Sequence, residues 1–370
     1  MRVAVIGLGI IGLSVCLRLA RAGHDVSGFE QFAQMHALGS SHGDTRIMRL
    51  TPGEGPIYVR MAARANEAWM RWQDQAGEAL IQWTGGLMAG PAGSAFVRNC
   101  AAFNQGSPAA LLRGDTIYYM TRGAMALPRE WDVCRQEDVG VTFADKTRAF
   151  LIKRAQELGA KLHDNVAIAA PVTSRTLTIN GEAQTFDAVI VAAGPWAGRV
   201  LPEFAPHLVV RRRVIGWLKP KAEHAPPPVL CCDDEYGLFG MPTPDGLYKI
   251  GMHVVGDRVD PDQVAEPNEE DAAMLAAMAE ARLPLYEPQP VRMARCLYTL
   301  TPDDNFLMAP SQHDPRILIM SCCSGHGFKY APIYGTIVKR WLDDASVEEL
   351  DAFGVKGRIG EATGLGQSPQ

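Results

Sequence analysis

The stretch GLGIIG at residues 7–12 decides the fold, because it stands between a short apolar run at 3–6 and a helical pattern at 10–22. Gly23 ends this helical pattern, and residues 26–29 have the composition of a second strand. A strand, a glycine-rich turn, a helix and a further strand form the opening of a β-α-β unit. The sequence therefore predicts that the chain begins with such a unit.

The spacing G-x-G-x-x-G gives each glycine a separate physical task. Gly7 permits a tight turn, Gly9 lets the backbone approach a pyrophosphate, and Gly12 allows the helix to pack closely on the strand. The helix N-terminus adds N–H donors and a partial positive charge. Glu30 follows at the end of the second strand, where an acid accepts hydrogen bonds from ribose hydroxyls. We predict a dinucleotide site here, with a structural turn as the alternative; the motif alone does not separate NAD from FAD.

Length and composition describe an ordinary globular chain. Its 370 residues are 47% hydrophobic and 21% charged, which suggests two domains or one large α/β unit. The chain has 36 glycines, and this excess over the usual fraction of about 7% has no collagen-like period. The glycines therefore need an explanation position by position.

Charge and apolar patterning exclude several classes of partner. The net charge of −5 comes without a basic stripe, which argues against a nucleic-acid partner. No apolar stretch reaches the ~18 residues of a spanning helix, and the N-terminus lacks a secretory signal. We therefore expect no membrane partner and a cytoplasmic location. Eight cysteines occur without a C-x-x-C pair, so we expect no zinc site, and the adjacent pairs at 231–232 and 322–323 are interpreted as buried small residues.

The order of predicted elements defines the fold class. Helices and strands alternate at both ends of the chain, and strands dominate the middle. We predict an α/β fold (α+β overall), with a discontinuous Rossmann-like domain into which a β-rich substrate domain is inserted. The first domain is predicted at 1–82, 141–208 and 295–356, the second at 83–140 and 209–294, and a loose tail at 357–370.

Individual elements follow from hydrophobic periodicity and turn residues. Helices are predicted at 57–73, 147–158, 271–282 and 333–342. Further strands are predicted at 116–120, 166–170, 177–179, 186–192, 209–218, 238–241, 247–251 and 317–320. Asn180-Gly181 is a hairpin turn signal. The strand DAVIVAAG, which ends at Gly194, resembles a segment of many FAD-binding Rossmann oxidoreductases, and it favours FAD; a plain buried strand is the alternative.

Three polar segments make a family recognisable. They are SSHGDTRIMR at 40–49, CLYT at 296–299 and SGHGFK at 324–329. Together they resemble the monomeric sarcosine oxidase and N-methyltryptophan oxidase family of FAD-dependent amine oxidases, and the resemblance runs to about residue 342. It implies an FAD cofactor, an amine or amino acid substrate, O2 as the electron acceptor and a monomeric protein.

The resemblance assigns cofactor-binding residues. Cys296 matches the cysteine that holds the flavin covalently through its 8α-methyl carbon, and its neighbour Arg295 favours a thiolate. Without the resemblance, a buried inert cysteine would be the default. Other positions match residues packed around the flavin: Ser41, His42, Thr45, Arg46, Gly325, His326, Gly327 and Phe328. Among these, His42 and Arg46 are also assigned to the catalytic surroundings.

The resemblance also assigns substrate-binding and catalytic residues. Arg49 and Lys329 match the pair that binds the substrate carboxylate in the family. A carboxylate in a dry pocket is well bound by two cations, one of which, the arginine, can donate two parallel hydrogen bonds. Lys249 matches the lysine that promotes reaction with oxygen, and strand alternation places His253, a pocket residue, on the same face. The pocket aromatics match Phe239, which is a tyrosine in sarcosine oxidase, and Tyr298. The alternative is a surface salt bridge for Arg49, a solvated lysine at a helix entry for Lys329, and an exposed strand face for Lys249 and His253.

These assignments lead to a hypothesis of reaction. A neutral secondary amino acid loses a hydride from the carbon next to nitrogen to flavin N5, the imine hydrolyses, and O2 is reduced to H2O2. The alternatives are a flavin dehydrogenase with a non-oxygen acceptor, an oxidase of a cyclic imino acid or glycated amino acid, a NAD-dependent reductase, and a flavin-bearing binding protein without turnover.

Overall fold

A computed structural model gives the structure, which describes residues 1–102, 110–355 and 358. The chain divides into two compact units. Unit 1 comprises 1–42, 148–211 and the described residues from 297 onward, and unit 2 comprises 43–147, without 103–109, and 212–296. The predicted tail at 357–370 lies outside the described residues except for Arg358.

The elements are numbered in chain order. The strands are β1 (Arg2–Ile6), β2 (Asp25–Phe29), β3 (Thr45–Arg49), β4 (Ile81–Trp83), β5 (Gly86–Gly90), β6 (Leu111–Arg113), β7 (Asp132–Gln136), β8 (Val139–Phe143), β9 (Lys161–His163), β10 (Thr176–Ile179), β11 (Glu182–Thr185), β12 (Ala188–Val191), β13 (Val209–Leu218), β14 (Val229–Cys232), β15 (Leu238–Pro242), β16 (Tyr248–Met252), β17 (Arg292–Leu300), β18 (Leu307–Pro310) and β19 (Ile317–Ser321). The α-helices are α1 (Ile10–Arg21), α2 (Pro56–Ala76), α3 (Ala95–Ala102), α4 (Gly114–Met120), α5 (Ala144–Glu157), α6 (Ala197–Val200), α7 (Glu269–Arg282), α8 (Ala331–Leu342) and α9 (Glu348–Phe353). Short 3-10 turns occupy Gly194–Trp196, Pro202–His207 and Phe328–Tyr330.

Unit 1 is built on a six-stranded sheet with the order β18-β19-β12-β1-β2-β9. The pairs from β19 to β9 are parallel, and only the β18 edge is antiparallel. Read from β9 to β19 this is the strand order 3-2-1-4-5 of a Rossmann sheet. Buried strands such as β12 carry unbroken apolar runs, as expected for a parallel sheet covered on both faces. The predicted Rossmann-like fold is therefore confirmed.

Helix α1 packs against α8 at very short range. Gly335 makes this possible, because a Cβ there would lie 2.4 Å from the Cβ of Arg18. Ser14 ties the two helices together: its hydroxyl donates to Ala331 O at 2.5 Å and accepts from Gly335 N at 3.3 Å. The helix that begins at the first glycine turn is thus fixed to the helix that follows the SGHGFK loop.

Unit 2 contains an eight-stranded sheet, β17-β13-β16-β15-β14-β5-β7-β6, and a three-stranded sheet, β3-β8-β4. The β5–β14 pair is parallel, whereas β13–β16, β16–β15, β15–β14, β5–β7 and β7–β6 are antiparallel. Helix α7 buries Leu275 and Met278 in a core shared with this sheet. Its N-terminus has a capping box between Asn268 and Asp271, which accounts for the start of the helix.

Most predicted elements are confirmed, among them α2, α5, α7, α8, β13 and the β15–β16 pair. The hairpin turn at Asn180-Gly181 is also present, with φ of 50° and 87°. The predicted strand at 116–120 is wrong, because these residues belong to α4. In this segment Ile117 is buried and Tyr119 is 80% exposed, which is the burial of a surface helix, and Asp115 lies in its first turn.

Two further expectations differ from the structure. The predicted strand at 166–170 does not form: Val166 N donates to Glu30 O, but residues 167–170 pair with no strand in the described part of the chain. The domain boundary also differs. Residues 43–82 and 141–147 lie in unit 2 and not with the dinucleotide motif, because β3 and β4 both pair with β8. Residues 295–296 also lie in unit 2, and residues 209–211 lie in unit 1. Among the described residues, no helix combines the length and apolarity needed to cross a membrane.

Candidate functional site

The glycine turn in unit 1 joins β1 to α1 under tight steric limits. Gly7 has φ +93°, and a Cβ there would lie 2.5 Å from Ala192 O at the end of β12. A Cβ on Gly12 would lie 1.9 Å from Gly7 O. Side chains at these two positions would force the backbone apart. The later strand therefore ends against the first turn, and Gly194, with φ +51°, begins the 3-10 turn that follows.

The N-terminus of α1 is open to an anion. Its N-cap is Gly9, which has no side chain to cap the helix, and no acidic residue occupies its first turn. Ser41 Oγ accepts from Ile10 N at 3.0 Å and would lie 3.2 Å from a Cβ on Gly9. The positive end of the helix dipole is therefore not neutralised by a side chain of the helix, which is what a pyrophosphate requires.

Glu30 is buried beside this turn. Its carboxylate accepts from Leu8 N at 2.9 Å and from Phe32 N at 3.2 Å, and it lies 3.6 Å from Nε2 of His36. Burial acts to raise the pKa of Glu30, but His36 and the two N–H donors outweigh it, so the pKa lies below the ordinary 4.5. The carboxylate is therefore ionised at neutral pH, and it can also accept hydrogen bonds from ribose.

The SGHGFK loop in unit 1 is held by backbone contacts. Ser324 has φ +37° and its hydroxyl donates to Asn305 O at 2.7 Å. Gly325 has φ +74°, and a Cβ on Gly327 would lie 1.7 Å from Cys322 O. His326 stacks on Phe306 with ring centroids 4.8 Å apart. Phe328 is buried in the 3-10 turn before α8, which has no side-chain cap.

Lys329 lies in the same turn and is only 4% exposed. Its Nζ donates to His326 O at 2.8 Å and lies 4.7 Å from the ring centroid of Tyr330. A carbonyl and an aromatic face are both partners that a lysine amino group takes inside a protein. The structure thus provides a buried lysine at the loop that the resemblance assigns to substrate binding.

Lys249 in unit 2 is 1% exposed and is bound by backbone carbonyls. Its Nζ donates to Gly43 O at 2.8 Å and to Thr45 O. These two carbonyls belong to a sharp turn in which Gly43 has φ +97° and Asp44 has φ +60°. We call residues 43–45 the carbonyl turn. Thr45 itself is buried, and it binds Lys249 through its backbone carbonyl and not through its hydroxyl.

A second cation shares the carbonyl turn. Arg46 Nη1 donates to Thr45 O at 2.8 Å and to Gly43 O at 3.5 Å. Burial and then the Arg46 charge lower the pKa of Lys249 well below 10.5, whereas Asp44, Cys296 and Asp145 act to raise it. The Lys249 amino group and the Arg46 guanidinium therefore converge on two carbonyls, and nearby carboxylates offset part of the effect of Arg46 on the lysine.

Arg49 ends β3 and is 7% exposed. Its Nη2 donates to Glu54 at 2.9 Å. Its Nη1 contacts Sδ of Met88 at 3.5 Å and Sγ of Cys100 at 3.7 Å, and burial raises the pKa of the Cys100 thiol to about 12. The guanidinium therefore binds one carboxylate on a sulfur-lined, apolar surface.

The remaining predicted site residues differ in exposure. Phe239 is half-buried and its ring occupies the space beside Gly251, where a Cβ would lie 2.6 Å from Cζ. His253 is exposed and follows the end of β16, so strand alternation does not place it beside Lys249. Tyr298 is half-buried on β17, and His42 is buried at the end of the first segment of unit 1.

Cys296 lies on β17 and is 5% exposed. The Nε–H of its neighbour Arg295 donates to the Glu266 carboxylate at 2.7 Å. This carboxylate offsets part of the positive charge that was expected to favour a thiolate. The described cysteines form no disulfide. In the paired positions, Cys232 and Cys322 are buried as predicted, whereas their neighbours Cys231 and Cys323 are half-buried. Over the described ranges no group of His, Cys, Asp and Glu is arranged to hold a metal ion.

Sequence reasoning missed several residues around Lys249. Asp44 stands inside the HGDTR stretch, and the Gly-Asp pair was the available signal, since both residue types tolerate the left-handed conformation that they adopt here. Arg292 and Trp217 carry no motif. Arg292 donates to Asp44 at 2.5 Å, and its guanidinium lies 4.1 Å from the ring centroid of Trp217. Only the three-dimensional structure brings these residues together.

Comparison with known proteins adds a family and several relatives. The family model described as FAD dependent oxidoreductase matches residues 2–341. Monomeric sarcosine oxidase of Bacillus sp. (strain B-0618) is 28% identical over an alignment of 361 residues, and the match covers 91% of each chain. N-methyl-L-tryptophan oxidase of Yersinia pestis (strain Pestoides F) is 28% identical over 366 residues, which covers 94% of this chain and 97% of the relative.

A solved structure shows the same fold. A variant of NikD, described as an unusual amino acid oxidase essential for nikkomycin biosynthesis, superposes with a TM-score of 0.84 at 20% identity. The match covers 98% of this chain and 99% of the NikD chain. At this identity the likeness supports the fold and no finer property.

Proposed function

The chain belongs to the family of FAD-dependent oxidoreductases, and from this premise we propose that it is an oxidase of secondary amino acids that reduces O2 to H2O2. The sarcosine and N-methyltryptophan oxidases that it resembles support an N-methyl amino acid or a related amine as substrate. The observation that carries the proposal is the buried amino group of Lys249, which shares the carbonyl turn with Arg46.

The residues of unit 1 fit the dinucleotide. The open N-terminus of α1 suits the pyrophosphate, and the ionised, buried Glu30 suits a ribose. A second helix, α8, whose N-cap Tyr330 makes no side-chain cap bond, follows the SGHGFK loop, in which Gly325 has φ +74° and Gly327 packs against Cys322 O. We propose that the positive end of α8 stabilises negative charge on the pyrimidine side of the flavin.

The chain's own residues would bind, orient and stabilise charge. FAD, when bound, supplies the hydride acceptor and the group that reacts with O2. Arg49 and Lys329 bind the substrate carboxylate, and Phe239 and Tyr298 contact the rest of the substrate. Lys249 stabilises the negative charge that develops on oxygen during its reduction, because a buried ammonium interacts more strongly than one in water. A neutral amine needs no dedicated general base for hydride transfer.

The proposed function is tested by adding N-methyl amino acids to the purified protein and measuring peroxide. Cyclic imino acids and glycated amino acids complete the panel, so that the substrate class is read from the same assay. A protein that bleaches anaerobically but forms no peroxide in air would be a dehydrogenase with another acceptor. A protein that binds these compounds without bleaching would contradict catalysis.

We further propose that Cys296 holds the flavin covalently. Cys296→Ala should release the flavin on acid precipitation, giving a colourless pellet and a yellow supernatant, whereas the unaltered protein should give a yellow pellet. Cys323→Ala, which removes a second half-buried thiol, is the matched control and should keep its yellow pellet. A colourless pellet from the unaltered protein would rule out the linkage.

Glu30→Gln is expected to weaken FAD binding about 10- to 100-fold, because a charged acceptor of hydrogen bonds becomes neutral. The measurement is an FAD titration in the Cys296→Ala background, where the cofactor can dissociate. Glu182→Gln, an exposed change in unit 1, serves as the control. Equal affinity in the Glu30 and Glu182 variants would contradict the ribose assignment.

The same variant tests a pH effect. Because the pKa of Glu30 is lowered in the folded protein, its stabilising contribution is present above 4.5 and is lost as the pH falls below this value. The unfolding temperature of the unaltered protein should therefore fall more steeply than that of Glu30→Gln as the pH is lowered below 4.5.

A further inference from the structure

We propose that Asp44 and Arg292 are positioning residues that set the charge of Lys249, with Asp44 favouring the ammonium and Arg292 limiting that effect. The inference rests on the proposed role of Lys249, but its test does not. It starts from the carbonyl turn, in which Asp44 lies between the two residues whose carbonyls bind Lys249.

The carbonyl turn is held in place on both sides of Asp44. Thr45 N donates to Gly43 O at 2.7 Å and closes the turn. Asp44 N donates to the Asp145 carboxylate at 3.1 Å, and Asp44 O accepts from Ala144 N at 2.7 Å. The start of α5 thus fixes the backbone of the turn, and the Asp44 side chain is left to a different partner.

That partner is Arg292, at the start of β17. Its guanidinium donates to Asp44 at 2.5 Å and to Asp245 at 3.1 Å. It also lies 4.1 Å from the ring centroid of Trp217. Trp217 is the cross-strand neighbour of Lys249, whose Nζ lies 5.9 Å from the same ring. The Trp217 ring therefore lies close to both Arg292 and Lys249, and it helps to set the position from which Arg292 binds Asp44.

The charges around Lys249 explain why Asp44 matters. Burial and Arg46 disfavour its ammonium, and Trp217 adds no formal charge. The groups that favour the ammonium are Asp44, Cys296 of β17 and Asp145 of α5. Of these groups, Asp44 is the one that forms an ion pair with Arg292, so its influence is the one that this exposed arginine can adjust.

The test is a direct titration of Lys249. Protein labelled with [ε-13C]lysine is followed by NMR against pH, and Lys249→Met identifies the signal. Asp44→Asn should move the Lys249 midpoint to lower pH, because a favourable charge is removed. Arg292→Gln should move it to higher pH, because the Asp44 carboxylate loses its counter-ion. Opposite shifts are the signature of a charge balance, since simple loosening of the turn would hydrate Lys249 and raise both midpoints.

The matched control is Glu137→Gln. It removes the carboxylate of another exposed arginine pair in unit 2, 2.6 Å from Arg135, and leaves both partners of Arg292 in place. Its midpoint should equal that of the unaltered protein. An unchanged or raised midpoint in Asp44→Asn, or a lowered one in Arg292→Gln, would overturn the inference.

A kinetic readout then separates this inference from the proposed function. Above the midpoint, the oxygen rate of Asp44→Asn should fall about tenfold for each pH unit of the shift, while the anaerobic reduction rate stays the same. If the NMR shifts occur as expected but Lys249→Met leaves the oxygen rate unchanged, the charge balance stands and the oxygen role of Lys249 fails.

Discussion

Lys249→Met is expected to lower the rate of reaction with oxygen by about 10²–10³-fold, because it removes a preorganised charge from the place where negative charge develops. Reduction by substrate under anaerobic conditions should change little, since hydride transfer from a neutral amine does not need the ammonium. Stopped-flow measurement of both half-reactions in the same preparation separates the two effects. Equal losses in both half-reactions would contradict the assignment.

The stability of this variant supplies its control. The pKa of Lys249 is lowered by burial and by Arg46, so the ammonium opposes folding. In the unfolded chain Lys249 stays protonated up to its ordinary pKa of 10.5, whereas in the folded protein it loses its proton at lower pH. The free energy of unfolding of the unaltered protein should therefore rise with pH between the lowered pKa and 10.5. Lys249→Met should remain folded and lack this rise, so that a slow oxygen reaction cannot come from unfolding. In the unaltered protein the oxygen rate should fall as the pH rises through the lowered pKa.

Arg49→Gln is expected to lower kcat/KM for an amino acid substrate by about 10²-fold, mainly through KM, because a buried forked cation is lost. Arg49→Lys should recover part of this loss, since it restores the charge but not the fork. Arg113→Gln removes an exposed arginine that is also paired with a carboxylate, at 3.1 Å from Asp132, and should behave like the unaltered enzyme.

A change in the substrate completes this test. The methyl ester of the best amino acid substrate lacks the carboxylate charge, so the unaltered enzyme should lose a similar factor with the ester. Arg49→Gln should lose little more, because both changes remove the same interaction. Losses that multiply fully would show that Arg49 does not bind the carboxylate. Glu54, which Arg49 binds in this structure, is partly exposed and can be hydrated in the variant.

The first β-α-β unit was predictable because local sterics decide it. The close approaches at Gly7 and Gly12 tolerate no side chain, so the glycine spacing is visible in the sequence. The strand prediction at 116–120 was wrong. The β-branched and aromatic residues of this segment favour a strand, but the same residues also fit a surface helix that buries mainly Ile117.

The candidate site was predictable only in its motif residues. Lys249 was found by resemblance, but its partners are backbone carbonyls, and any residue type can supply these. Arg292 is 248 positions from Asp44, and neither position carries a signal of the contact. The placement of 43–82 was missed for the same reason, because it depends on the pairing of β3 and β4 with β8. Long-range pairing therefore decides what the sequence pattern leaves open.

The most direct test of the account is one oxygen-electrode measurement with a peroxide readout on the purified protein and the panel of N-methyl amino acids. We predict a yellow protein that consumes one O2 and forms one H2O2 for each amine oxidised with at least one member of the panel. A colourless protein that gains no activity with added FAD, or a yellow protein that forms no peroxide with any of these substrates, would contradict the account.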